Sequence, residues 1–588
     1  MIDRRSLLAQ AGVAAFAAAA GPVVAATSAD ARLAGLLQDQ ADALQQRYPD
    51  TGSDESGRLG DRSLAAMAAD RAASRQALTA LAAIDRSALS ARSRDDLDVA
   101  RFVHATLDDL LGRYGFIDID LRPSPYVVNQ MNGAYYWLPD GIGSRRSVNT
   151  PAGRDAYFAS LANLAAALDH ESARIAHDAG IGVIPPDFVI ARTTAQIAAV
   201  RDADPATSAL IAPAVQRGGA GFPVDRAIAA FRQQVAPALS RQIAALEAVR
   251  PRAVDTAGVW RLPDGEAYYA AAVRANTTTD LAPAELHRIG LAQVADYTAA
   301  LDTSLRAQGY ASGSVGARIA ALNEDKRFQK PDDDAGRAAI IADLKTILDD
   351  ARSRLPRMFS AIPVAPIGVK RMAVAVEAGS PGAFYNGGAK GEAGNFVINL
   401  RSTAEQPDWR LPTLAHHEGI PGHHFQAGAV DSAGALSSFR RLVRFSAYTE
   451  GWALYAEQLA DEMGCYDADP VGRIGYLQSM LFRAARIVVD TGIHHKRWTR
   501  AEAVAWMVDN AGESPVPAQR EIDRYCVYPG QACSFKVGQT QIAASREAAR
   551  KRMGDRFDIR GFHDVVLLGG PMPMQTLVGA VDRWAAGA

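Results

Sequence analysis

The chain has 588 residues, with 63 Lys+Arg against 65 Asp+Glu and a net charge of -2. That balance lacks the basic excess with which proteins grip a polyanion, so nucleic acid is excluded as an expected partner. With 48% hydrophobic and 22% charged residues, the chain can bury a large core, and long-range disorder is excluded.

Residues 1–26 read as a cleaved export signal. Arg4 and Arg5 stand before Ser6, Leu7 and Leu8, an Ala-rich apolar run extends from about Ala11 to Ala26, and Val24, Ala25 and Ala26 supply a small-residue cleavage site. The paired arginines resemble a twin-arginine signal. Cleavage is expected after Ala26 or slightly later, near Ala29. The run is short and rich in Ala and Gly, which argues against a permanent membrane anchor. The mature protein is expected in the periplasm or outside the cell, with no stable membrane insertion.

Two further parts are expected, an N-terminal helical part at 27–270 and a second part at 271–588, continuous as one body. A polar break starts at Thr51. Arg94 to Leu111 has helical spacing, with Leu97, Ala100, Val103, Leu107, Leu110 and Leu111 apolar. Tyr126 to Pro139 reads as a Pro/Gly/aromatic loop region. Helices are predicted at about 153–178 and 224–249, from Pro283 to Leu301, and from Asp333 to Leu355 before Pro356. Val364–Val376 and Gly394–Leu400 are β-branched and turn-bounded, so they read as strands. Helices return after Pro412. The expected fold class is mainly α, a large helical body enclosing a cleft, with a small sheet just before a cluster of histidines.

Cys465, Cys526 and Cys533 are too few for a disulfide scaffold and lack the spacing of a structural zinc site. Cys526 and Cys533 are close enough in sequence to be bridged, unless helical geometry forbids it.

Four of the 11 histidines fall at 416, 417, 423 and 424, in His416-His417-Glu418-Gly419-Ile420-Pro421-Gly422-His423-His424. A His-Glu pair followed by a further His suits a zinc site in which two imidazoles ligate and the glutamate activates water. The usual spacing is i and i+4. Here the second histidine is at i+6, roughly 9 Å along the axis and about 120° around a regular helix, so one zinc could not bind both. His417 and His424 share a face but stand two turns apart. A broken or bulged helix is therefore expected, and Pro421 between Gly419 and Gly422 supplies the break. Glu450, in Tyr448-Thr449-Glu450-Gly451-Trp452, is the candidate third ligand. Glu457, two turns on, either supports a ligand or is a solvated charge.

These residues resemble the bacterial family called domain of unknown function 885. His417 to His424 carry the likeness, with Glu450 to Tyr455 downstream. It extends through Tyr268–Gly290, Pro363–Arg401, Arg486 with Asp490 to His494, Arg524 to Gly538, Arg546 and Phe562 to Asp564. The resemblance implies a zinc metallopeptidase related in architecture to the helical gluzincins. It implies one zinc per chain held by His417, His423 and Glu450, with Glu418 as general base. His424 is then near the ligands or faces substrate, and His416 is grouped with it. Where the family often has Tyr before Lys-x-Gly, this chain has Phe535 before Lys536 and Gly538.

The expected chemistry is hydrolysis of short peptides by a metal-activated water. Tyr525, Tyr528, His563 and His494 are candidates to stabilise an oxyanion, although His494 could equally be a structural partner of Asp490. The Gly394–Leu400 strand, with Asn395 and Asn399, could pair with an extended peptide or be an ordinary core strand. Arg486 and Lys536 are candidates to bind a terminal carboxylate. Hydrolysis of another amide or an ester, or peptide binding without turnover, are the alternatives. Oligomeric state is not legible.

Overall fold

The computed structural model describes residues 28–49, 56–119, 122–363, 365–377, 382–387, 393–433 and 436–587. The export signal read at 1–26 lies outside them, as do Thr51 and Val364.

The protein is mainly helical. Helices Ser28–Arg47, Leu64–Ala82 and Ala91–Arg113 pack together near the N-terminus. Ser90 caps the last of these by accepting from the Ser93 N–H, which satisfies one of the free amides of the first turn. Pro151–Gly180 starts with proline in its first turn behind Thr150, whose side chain accepts from the Gly153 N–H. Pro283–Ala307 and Asp334–Arg354 follow the predicted positions, with Asp333 the cap of the second.

Two helical stretches differ from expectation. The 224–249 segment is not one regular helix, because a π turn at Phe231–Val235 separates Val224–Ala230 from Ala236–Val249. Pro237 follows that turn, and its missing N–H and bulky ring explain why the ladder widens just ahead of it. Ala134–Arg145 is a helix, although Tyr126 to Pro139 reads as loop. Pro139 sits inside it, and burial of Ala134, Tyr135 and Leu138 outweighs the local preference.

The sheet has three strands, β1 (Ile367–Arg371), β2 (Ala383–Asn386) and β3 (Gly394–Ile398), in the order β1-β3-β2. β1 runs parallel to β3, with Ile367 opposite Gly394 and Arg371 opposite Ile398. β2 is antiparallel, with Ala383 opposite Ile398 and Asn386 opposite Asn395. The expected strand Val364–Val376 is shorter, since Val374–Glu377 forms a helical turn. β2 carries no alternation long enough to be read from sequence. β3 is paired on both sides, so the expectation that Gly394–Leu400 could take up a peptide strand is corrected.

One apolar cluster joins the two halves of the sequence. It brings Leu33, Leu37 and Val103 together with Leu348, Phe396, Phe425, Trp452 and Val566. Burying apolar surface from sequence-distant helices in one core holds the histidine segment against the sheet. Helix Pro470–His494 is buried on nearly every face. Among the described residues, no helix is long and apolar enough to cross a membrane.

Candidate metal centre

The histidine segment forms two helices, Leu411–Glu418 and His423–Ser432. Gly419 to Gly422 break the helix between them, as the i+6 spacing requires. A Cβ on Gly422 would lie 1.9 Å from the His417 carbonyl oxygen and 2.3 Å from that of His416, so only glycine permits this close approach. The break is braced by His416, whose Nδ1 bonds the Ile420 carbonyl at 3.0 Å, and by Trp452, whose Nε1 donates to the Pro421 carbonyl at 2.9 Å.

The break turns the His417 and His423 rings toward each other, with centroids 5.0 Å apart and planes at 86°. Helix Ser446–Glu462 supplies Glu450, whose Oε2 is 3.8 Å from His417 Nε2 and 3.4 Å from His423 Nε2. Candidate ligand atoms of His417, His423 and Glu450 all lie within 4.8 Å of one another. The Glu450 and His423 side chains are 20% and 14% exposed, so the group is reachable from outside, while His417 is buried. Helix Gln531–Met553 crosses beside Glu450, where a Cβ on Gly538 would lie 1.9 Å from the Ala447 carbonyl oxygen.

His417 Nδ1 bonds Glu457 Oε1 at 2.7 Å, leaving Nε2 toward Glu450. Glu457 is thus a buried partner of His417 and not a solvated charge. Burial would lower the His417 pKa, but Glu450 and Glu457 together raise it to about 9. Burial would likewise raise Glu450, yet His417 and His423 hold it well below the usual carboxylate range. Glu418, at the end of the first histidine helix, is buried and has no hydrogen-bond partner among the described residues. Two imidazoles and one carboxylate form a donor set that suits zinc.

His424 is buried on the second of the two helices. Its Nε2 donates to the Ala365 carbonyl at 3.1 Å, and its Nδ1 meets the Tyr385 hydroxyl at 3.2 Å. Tyr385 is not legible in the sequence, because β2 is not.

The remaining candidates are spread. Tyr525 donates to Glu521 Oε2 at 2.9 Å, and burial pushes its hydroxyl pKa up. Tyr528 donates to the Met131 carbonyl at 2.8 Å, within a separate apolar cluster. His563 uses both ring nitrogens, with Met358 O at 2.7 Å and the Tyr455 hydroxyl at 3.1 Å, and burial lowers its pKa to about 4. His494 accepts from the Val259 N–H and donates to the Tyr525 carbonyl, so it does not pair with Asp490. Asp490 instead accepts from the Tyr269 hydroxyl at 2.6 Å and the Gly530 N–H at 3.0 Å. Burial raises its pKa to about 7.

Asn395 bonds locally to the Ala393 carbonyl, and Asn399 donates to the Glu377 carbonyl. Lys536 is buried and donates to the Tyr297 hydroxyl and to Gln539 Oε1, so its ammonium is already committed. Arg486 is buried as well, but its Nε and Nη2 find no acceptor. Cys465, Cys526 and Cys533 are free thiols, so the bridge considered between the last two does not form. A separate cavity of about 340 Å³ lies among the N-terminal helices, lined by Gln40, Ser74, His104 and Leu107, away from the histidines.

A helical protein with a small sheet and a His-His-Glu group is the class these features define. The chain belongs to the family described as bacterial protein of unknown function (DUF885), whose model matches residues 44–581. It is similar in structure to a "putative lipoprotein" from Colwellia psychrerythraea, with a TM-score of 0.90 and 30% identity, over 96% of this chain and 100% of that one. A "putative lipoprotein of unknown function" from Shewanella oneidensis shares the fold, with a TM-score of 0.66 and 16% identity, over 94% of this chain and 99% of that one. Among curated proteins there is no match.

Proposed function

We propose that the protein is a zinc-dependent metallopeptidase of the gluzincin type acting on short peptides. The observation that carries this reading is the convergence of His417, His423 and Glu450, with Glu418 beside them. These three side chains would hold one zinc. When bound, the metal lowers the pKa of a water toward ~7 and polarises the scissile carbonyl. Glu418 takes the proton of the attacking water on its carboxylate and returns it to the leaving amine. Glu457 keeps the His417 Nδ1 proton in place, so that Nε2 carries the ligating lone pair. A base beside the ligands favours turnover over mere binding.

Metal analysis and peptide hydrolysis test the reading together. We expect one zinc per chain and hydrolysis of short peptides that a chelator stops. Protein purified without zinc, or hydrolysis that survives Glu418→Ala, would sink it. A parallel panel of acyl esters separates peptidase from esterase action.

Export fits the same reading. The N-terminal segment resembles a twin-arginine signal, and the Colwellia psychrerythraea relative is described as a "putative lipoprotein". N-terminal sequencing of periplasmic protein should begin near Thr27, and an intact Met1 in the cytoplasm would overturn it.

A further inference from the structure

Helices Pro470–His494 and Pro515–Val527 bring Arg483, Arg486 and Arg524 around one carboxylate, Glu521. Arg486 Nε is 4.0 Å from Glu521 Oε2, and Arg524 Nη1 is 3.6 Å from Oε1. Both distances are too long for hydrogen bonds. Arg483 meets no carboxylate within ion-pair distance among the described residues. Asp523, the other acid on that helix, is taken by Arg192 and Arg500.

The Arg486 guanidinium makes no hydrogen bond among the described residues. Its Nε and Nη2 are buried without an acceptor, as is Arg524 Nε. Its guanidinium lies 4.0 Å from the centre of the Phe535 ring, and the Tyr525 ring is 5.6 Å away. With one face on an aromatic ring, its donors are left to point outward in the guanidinium plane. Buried positive charge in excess of its partners is costly unless something negative completes it.

The cluster adjoins the metal centre. Arg524 donates to Gln531 Oε1, Gln531 Nε2 donates to Ser446 Oγ, and Ser446 and Ser534 share a 2.7 Å bond. Ser446 is one helical turn before Glu450 on the same face, about 6 Å along the axis. Arg486 itself lies near enough to Glu450 to feel that carboxylate's charge.

We propose that Arg486, assisted by Arg524, binds the C-terminal carboxylate of the peptide substrate, on the leaving-group side of the scissile bond. The inference rests on the peptidase reading of the same site and makes the enzyme a carboxypeptidase of short free-acid peptides. A planar two-oxygen acceptor matches the fork of the guanidinium edge. The ring at position 535 holds that guanidinium flat, which a Phe does without adding a competing hydroxyl.

The test is calorimetric titration of the full chain carrying Glu418→Gln, as purified, with trialanine and with its C-terminal amide. We expect the amide to bind roughly tenfold or more weakly than the free acid. Adding Arg486→Gln should bring both peptides to the weak affinity of the amide, with the melting temperature no lower. If that chain melts early, Arg524→Gln reads the same preference. Equal affinity for acid and amide before the arginine is changed overturns the proposal, as does an acid preference that survives the change. Absence of binding by either peptide at millimolar concentration also overturns it. Because the readout is binding, the two readings fail separately. A hydrolytically inert protein that prefers the acid through Arg486 removes the peptidase and keeps the pocket. A zinc peptidase indifferent to amidation does the reverse.

Discussion

His417 Nδ1 and Glu457 Oε1 are 2.7 Å apart in the buried core, though 40 residues separate them in the chain. This bond fixes which imidazole nitrogen is free to ligate. The second Glu457 oxygen is buried without a hydrogen-bond partner, so the bond to His417 is the carboxylate's one hydrogen bond among the described residues. Glu457→Gln keeps the shape and removes the charge. It should weaken zinc binding about 10–100-fold, as loss of such supporting groups usually does. Chelator competition checks it, and an unchanged affinity would remove the role assigned to Glu457.

Gly422 is predicted to tolerate no side chain. A Cβ there would collide with the carbonyl oxygens of His416 and His417, which are backbone and cannot step aside. Gly422→Ala should cost more than about 2 kcal/mol of stability and displace His423 from Glu450. Denaturant unfolding and zinc content should fall together. A stable Gly422→Ala chain with full metal would show that the break relaxes without moving its ligands.

Glu418 should matter to turnover and little to metal. It adjoins His417, yet it is not one of the three converging side chains. Glu418→Gln is expected to lower kcat roughly 10²–10⁴-fold, the range for loss of a general base, with zinc content unchanged. Loss of zinc in this variant would instead make Glu418 a ligand.

Much of the His-His-Glu group is legible in the sequence because its pattern is local. His417, His423 and the glycine-proline break lie within one short run, and helix geometry alone forces the prediction that the helix must break there. Glu450 follows at a distance that fits one return helix. Glu457 stays open, since no sequence rule says which face of a helix meets another. The same limit hides Tyr385, which reaches His424 from a four-residue strand too short to announce itself. Glu521 has a local signal, three residues before Arg524 and four before Tyr525 on one helix, a spacing at which side chains meet. His494 and His563 are oxyanion candidates on sequence alone, with a structural role open for His494. Only tertiary contacts reveal that backbone groups and a hydroxyl already occupy both rings. Pro139 misleads in the opposite direction, because burial of its neighbours outweighs its dislike of a helix.

The same two histidines predict an acid-sensitive fold. Burial holds His494 and His563 at about 4 in the folded protein, against about 6.5 for a free imidazole. Between those values the unfolded chain binds two protons that the folded chain refuses, so stability falls as pH drops from about 6.5 toward 4. Below that range both states are protonated, and these residues cause no further loss. From pH 7 to pH 5 each should remove roughly 2 kcal/mol, at 1.36 kcal/mol per pH unit of difference. His563→Gln gives up the bonds to Met358 and Tyr455 but has nothing to titrate. It should be less stable than the wild type at pH 7, and its loss between pH 7 and 5 should be smaller by about 2 kcal/mol. Denaturant midpoints at the two pH values decide the matter, and an equal fall in both proteins would mean that the fold leaves the His563 imidazole to titrate as it does in the unfolded chain.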